Sequence, residues 1–170
     1  ERLARGEQLT TAEKGNLCEM MMDQYYISKG YTPLHERVTS LENKGHQGID
    51  GIYEKNGKFV IADAKFGTAT LSDTQDGKQM SESWIDKRLD EAVGKEKADE
   101  IRDAYEDDPE NVRTEVYHYD PEIDEEGSTY TDTHPVDENG EKCGERVRVE
   151  RCDSSGEAVL LITERRNIDA

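Results

Sequence analysis

The chain has 170 residues and a net charge of −18, and its charged residues (36%) outnumber its hydrophobic ones (32%). That length supports one domain with a compact core. The sequence holds no apolar run approaching the roughly 18 residues of a membrane span, and its acidic balance counts against a nucleic-acid substrate, because proteins that grip phosphate backbones normally have a basic surface. The acidity is regional, because residues 105 to 145 hold fifteen acids against Arg113 and Lys142, a balance of −13 that leaves −5 for the rest. Cys18, Cys143 and Cys152 are odd in number and form no CxxC pair, which argues against a disulfide framework or a zinc ribbon and for free thiols in a reducing cytoplasm. A start at Glu1 rather than Met suggests a piece of something longer, and no charged-then-apolar signal segment opens it.

In chain order, Thr10-Thr11-Ala12-Glu13 reads as a capping box. The helix it starts spans roughly 11 to 29, with Leu17, Met20, Met21 and Tyr25 as its apolar stripe and Lys29-Gly30 as its stop. A first strand is expected near Leu34 to Val38, followed by a polar loop at Asn43 to Gly48. Ile49 to Glu54 and Lys58 to Phe66 are strand-like runs separated by Asn56-Gly57, the strongest short hairpin signal. Gln79 to Val93 reads as a helix with Met80, Trp84, Ile85 and Leu89 at core spacing, and Lys95 to Tyr105 as another. Val112 to Tyr119 alternates like a strand, Asp120 to Gly144 has the glycine, proline and acid content of a long exposed loop, and Arg146 to Arg151 and Ala158 to Thr163 close the chain as two strands. The organisation expected is one domain, residues 1–170, with a core at about 10–105, an acidic extension at 106–145 and terminal strands at 146–165.

A two-residue turn fixes register, so residues whose numbers sum to that of Lys55 and Lys58 face each other. Asp50 and Asp63 form such a pair, which puts their Cβ atoms about 4.5–5.5 Å apart on one face, and Lys65 shares that face two residues on. Like charges directly opposite need a compensating cation. A divalent metal is the natural one, and magnesium, or manganese, suits a few carboxylates with retained water. Lys65 beside it could orient or deprotonate a water and stabilise charge growing at phosphorus. An ordinary surface ion pair is the bland alternative, but both faces of this hairpin carry apolar residues, Ile52, Phe59 and Ile61 on one and Tyr53, Val60, Ala62 and Ala64 on the other. Carboxylates on a covered sheet are costly without a task or a partner.

Gly48-Ile49-Asp50-Gly51-Ile52-Tyr53, then Phe59-Val60-Ile61-Ala62-Asp63-Ala64-Lys65-Phe66-Gly67, then Gln79-Met80-Ser81 and Trp84 resemble the restriction-endonuclease-like PD-(D/E)xK nuclease domains found at the C-termini of bacterial polymorphic and contact-dependent inhibition toxins. The resemblance covers about residues 10 to 90. It implies an α/β fold, a mixed sheet with a central hairpin flanked by helices, here with C-terminal β additions. It also implies a metal held by an acid from the first helix, an aspartate on the second strand and the Asp-x-Lys on the third, cleaving DNA or, in some members, RNA. On that basis the metal ligands are Asp50, Asp63 and Glu19, and the catalytic set adds Lys65 and Gln79.

The helix acid is open between Glu13, which has a capping task, and Glu19, which has Gly15 one turn earlier to allow close approach. Gln79 is expected to orient water or touch phosphate, or else to cap a helix. Trp84 and Met80 are core candidates. Of His35, His46, His118 and His134, only His46 lies near the proposed site, as a phosphate contact. The resemblance further implies a nucleic-acid substrate, DNA favoured over RNA, a cognate immunity protein as partner, no membrane partner, and a cytoplasmic site of action after delivery within a larger secreted toxin. The alternative from another class is a non-catalytic acidic module that binds a basic protein or imitates nucleic acid.

Overall fold

In the computed structural model, which describes residues 8–123, 129–152 and 159–167, Thr10 opens helix α1 (Thr11–Ser28). Its Oγ1 accepts from the Glu13 amide at 3.2 Å while the Glu13 carboxylate accepts from the Thr10 amide at 3.1 Å. The reciprocal cap satisfies two amides that the helix leaves without partners. The buried face is Cys18, Met21, Met22, Tyr25 and Tyr26, so the stripe is rotated from the expected one, and Leu17 and Met20 are only half-buried.

The hairpin forms at the expected turn. Asn56 and Gly57 both take positive φ, 53° and 75°, as a type I′ turn requires. Strands β2 (Gly51–Lys55) and β3 (Lys58–Phe66) then pair as Gly51 with Ala62 through Lys55 with Lys58. The first strand differs from expectation. Strand β1 is only Thr32–Pro33, paired with Glu54 and Tyr53, because beyond Leu34 a side chain replaces the backbone ladder: His35 Nδ1 accepts from the Ile52 amide at 3.0 Å.

After β3, a small ribbon of β4 (Asp73–Thr74) and β5 (Gly77–Lys78) precedes helix α2 (Glu82–Val93). The helix therefore starts three residues after Gln79: Met80 holds a φ of 69°, and Ser81 is the cap, its Oγ accepting from the Trp84 amide at 3.4 Å. Helix α3 (Lys95–Asp107) ends before Pro109, and together α2 and α3 make the crossover that lets β6 (Val112–Ile123) run parallel to β3.

The stretch expected to be a long loop, Asp120 to Gly144, is sheet in part. Strand β7 (Thr129–Pro135) pairs antiparallel with β6 and buries Thr131, Thr133 and His134. Only residues 124–128 of that stretch lie outside the described residues. Strands β8 (Glu145–Cys152) and β9 (Val159–Asn167) follow, and Ala158 of the expected last strand lies outside the described residues. The seven strands run in the order β1-β2-β3-β6-β7-β8-β9.

Two buried clusters sit on opposite faces of the β2-β3-β6 region. Ile52, Phe59, Ile61 and Val116 pack with Trp84, Ile85, Leu89, Ala98 and Ile101 of the α2 and α3 side. Tyr53, Val60, Ala62 and Tyr117 pack with Met21, Met22, Tyr25 and Tyr26 of α1, where the Tyr26 and Tyr53 rings stack at 4.4 Å. The class is thus mixed α/β with a mostly antiparallel sheet and helices on both faces. Among the described residues no helix is long and apolar enough to cross a membrane.

Candidate active site

Asp63 sits mid-strand on the face covered by α2 and α3, and only 1% of it is exposed. Asp50 lies one residue before β2, in register with Asp63, and its Oδ2 accepts from the Ala64 amide at 2.9 Å. The side chain thereby takes the place of the next ladder bond and holds its carboxyl against that of Asp63. Burial pushes both carboxyl groups up from the ordinary range; repulsion from Glu19 adds to this at Asp50 and repulsion from Asp50 adds to it at Asp63.

Lys65 Nζ is 2.9 Å from Asp63 Oδ2 and donates to Gln79 Oε1 at 3.3 Å. The lysine meets Asp63 Oδ2 off the hydrogen-bonding line, so that buried oxygen has a charged neighbour but no hydrogen-bond partner. Gln79 Oε1 also accepts from the Ser72 amide at 2.9 Å. Its carbonyl end is therefore fixed between the loop after β3 and the lysine, rather than capping a helix.

Glu19 reaches the same place from the middle of α1. Its Oε2 is 3.0 Å from His46 Nε2, and Glu19, His46 and Asp50 each offer one ligand atom within 4.8 Å of the others. The Glu19 hydrogen bond raises the His46 pKa to about 9, so without a cation the imidazolium neutralises Glu19. Glu13, the other helix candidate, is occupied in the cap. The room foreseen at Gly15 is not what admits α1, since a Cβ there would meet nothing within 4 Å. Gly51 does that: a Cβ on it would lie 2.7 Å from Met22 Cε and from Tyr53 Oη. The glycine after Asp50 is a packing requirement of the α1 contact.

The residues present fit a divalent cation. Glu19, His46 and Asp50 offer two carboxylates and an imidazole within 4.8 Å of one another, whereas Asp63, expected as a third ligand, lies outside that group and is held by Lys65 at 2.9 Å. His46 joining the carboxylates was not foreseen. The available signal was its place four residues before Asp50 in a glycine-containing loop. That loop is tied to α1 by Asn16, whose Nδ2 donates to the Leu41 and Asn43 carbonyls at 2.8 Å each. No family model matches the chain, and no curated protein or solved structure matches it.

Proposed function

We propose that the protein is a metal-dependent nuclease of the restriction-endonuclease-like PD-(D/E)xK type, hydrolysing phosphodiester bonds in DNA or RNA, with DNA the favoured assignment. The observation that carries the reading is the pair Asp50 and Asp63 facing each other on a covered sheet, with Lys65 two residues on and Glu19 brought to Asp50 by the opposite helix. Glu19, Asp50 and Asp63 would hold magnesium or manganese, with His46 as a nitrogen donor. When bound, such an ion makes a water acidic enough to attack phosphorus at neutral pH and neutralises phosphate charge.

The chain's own groups do the rest. On metal binding His46 would release its proton to solvent, freeing its ring nitrogen and the Glu19 oxygen it holds, and Asp63 would release to solvent the proton that burial and Asp50 favour. Lys65, steered by Gln79, presents an ammonium to the oxygens that gain charge as the P–O bond to the leaving group breaks. In this reading the domain is the effector end of a larger secreted toxin, acts in a target cytoplasm and has a cognate immunity protein. The alternative, a non-catalytic acidic module, draws on the acids of residues 105 to 145, of which Glu106, Asp107, Asp108 and Glu110 are exposed at and just after the end of α3.

Incubation with plasmid DNA and with total RNA, in magnesium, in manganese and in chelator, separates the two. Metal-dependent loss of either polymer, stopped by chelator, is the expected result. Intact polymers under every condition, with no heat of metal binding, would leave the acidic module standing instead.

A further inference from the structure

Beside the candidate site lies a cleft of about 570 Å³ between the loop 35–49 and α2. Its lining runs from His46, Gly48 and Ile49, next to Asp50, out to Lys87 and Arg88 on α2. Four cations, Arg37, Lys44, Lys87 and Arg88, face three acids, Glu36, Asp76 and Glu91. In a chain with a net charge of −18, the lining carries one more cation than acid, and although Arg37 is paired with Asp23 and Lys87 and Arg88 share Asp76, exposed donors remain on Arg37, Lys44 and Lys87 for a phosphate to share.

The cations are anchored by one edge and open on the other. Arg88 lies over the Trp84 ring at 4.5 Å and pairs with Asp76 at 3.1 Å, Lys87 pairs with the other Asp76 oxygen at 2.7 Å while its side chain is 59% exposed, and Arg37 is held by Asp23 at 3.0 Å with 46% exposed. Asp76 so places two cations side by side, with donor capacity left over on both. The lining includes no tyrosine, phenylalanine or tryptophan, so it lacks the stacking platforms that grip bases and is suited to a ligand's phosphates and sugar.

We infer that this cleft binds the phosphates of one or two nucleotides of an unpaired strand and leads the next phosphodiester to Asp50. The inference rests on the nuclease reading for what happens at the end of the cleft, not for the binding itself. A cavity of this size falls within the range of about 300–1,000 Å³ that holds small ligands, which excludes a duplex from its interior. A duplex also carries one charge per roughly 1.7 Å of axis, and four partly neutralised cations in an acidic protein cannot offset that density. The substrate class is therefore single-stranded nucleic acid, or the frayed end or loop of a folded one.

The test measures binding apart from cleavage. Anisotropy of a fluorescein-labelled ten-nucleotide single strand, and of the same sequence as a duplex, is titrated with the protein in chelator at two salt concentrations. The expected result is tighter binding of the single strand, weakened at least tenfold in the Lys44→Ala/Lys87→Ala protein and unchanged in Lys58→Ala, which removes an exposed cation at the hairpin turn. The salt dependence should correspond to one or two phosphates at a slope of about 0.7 each. Equal or tighter binding of the duplex, or no loss in the double variant, overturns the cleft assignment. The same proteins are then given metal. Single-strand binding through Lys44 and Lys87 with no cleavage leaves the cleft standing and the nuclease reading refuted. Cleavage at wild-type rate by the double variant does the reverse.

Discussion

Asp23 and Asp63 are each 1% exposed and approach the same hairpin from opposite faces, yet their surroundings differ in kind. Asp23 receives His35 Nε2 and Arg37 Nε at 3.0 Å each and the Tyr53 hydroxyl. His35 Nδ1 lies 3.0 Å from the Ile52 amide nitrogen and 3.1 Å from the Ile52 carbonyl oxygen, so the backbone of β2 fixes the ring that faces Asp23. Burial works to raise the Asp23 pKa, but the hydrogen bonds from His35 and Tyr53 outweigh it and hold the carboxyl below its ordinary value. Asp63 faces another carboxyl, has one oxygen without a hydrogen bond, and is pushed the other way. A buried carboxylate with every oxygen matched is part of the scaffold, whereas Asp63, held by Lys65 against a second carboxyl, is the one the proposed site would use.

The sharpest way to break that contrast is to remove each acid in turn. Asp63→Ala should lower cleavage by a factor on the order of a thousand, and in chelator above pH 8, where Asp63 is ionised against Asp50, it should leave the melting temperature unchanged or slightly raised because it relieves that repulsion. Lys65→Ala should lose turnover to a similar degree yet bind metal as well as the native protein or better, since a nearby positive charge opposes cation binding. Calorimetric metal titrations beside a cleavage assay check both. An Asp63→Ala protein that still binds metal normally, or still cuts, removes this hairpin from the catalytic centre.

Asp23→Ala should behave as the converse. It strips partners from a buried histidine and a buried tyrosine hydroxyl, at a cost of about 3 kcal/mol, and lowers Tm by roughly 6–12 °C for a chain of this size. Metal affinity per folded molecule should stay within twofold. A Tm that does not move would mean that the network is incidental to the fold.

Acidity sharpens the same comparison. A group whose folded pKa is raised contributes stability that is present below its unfolded pKa and is lost as pH rises through the folded value. For Asp63 the loss runs from the ordinary carboxylate range up to about 8. Asp23 has the opposite sign, and its contribution is present above that range and lost on acidification. In chelator, the native protein should therefore lose stability from pH 5 to 8 more steeply than Asp63→Ala, with general self-repulsion common to both. Saturating metal should flatten the difference, and metal binding at pH 7 should release protons, read as a dependence of the binding heat on the buffer's ionisation enthalpy. Equal slopes for the two proteins would place Asp63 ionised and satisfied without metal.

Much of this geometry is legible in the chain, and the rest is hidden for identifiable reasons. Asn56-Gly57 dictates the turn and, through it, the facing of Asp50 and Asp63, because two positive φ angles leave little freedom of register. The capping box places the start of α1. Strand β7 escapes because Thr129, Thr131 and Thr133 alternate with polar neighbours, and threonine declares a strand by β-branching rather than by hydropathy. The first strand is displaced because His35 spends its side chain on a ladder position, a tertiary choice with no local signature. His46 joins the site through the folding of a loop around Asn16, and sequence distance carries no trace of that.

The smallest expected effect concerns Gln79, which makes no contact with the acids and acts through Lys65 as a positioning residue. It stands in a segment held open by unusual backbone, with Met80 at a φ of 69° and with Gly140 packed so closely that a Cβ there would lie 2.6 Å from the Gln79 carbonyl oxygen. The turn around Gly140, deep in the acidic stretch, thus braces the segment that steers the lysine, and the Glu82 amide donating to the Glu138 carbonyl at 2.9 Å fixes the same junction. Gln79→Ala removes the oxygen that Lys65 and the Ser72 amide share, leaving the ammonium to settle on Asp63 alone. Cleavage should fall about tenfold in kcat with KM little changed, as expected when orientation rather than binding is lost, and Gln79→Glu, which keeps an acceptor at that position, should recover most of it. Gly140→Ala should reproduce a weaker version of the kcat loss from a distance. Gln79→Ala raising KM instead would make it a substrate contact, and Gly140→Ala leaving kcat untouched would free the acidic turn from any part in the site.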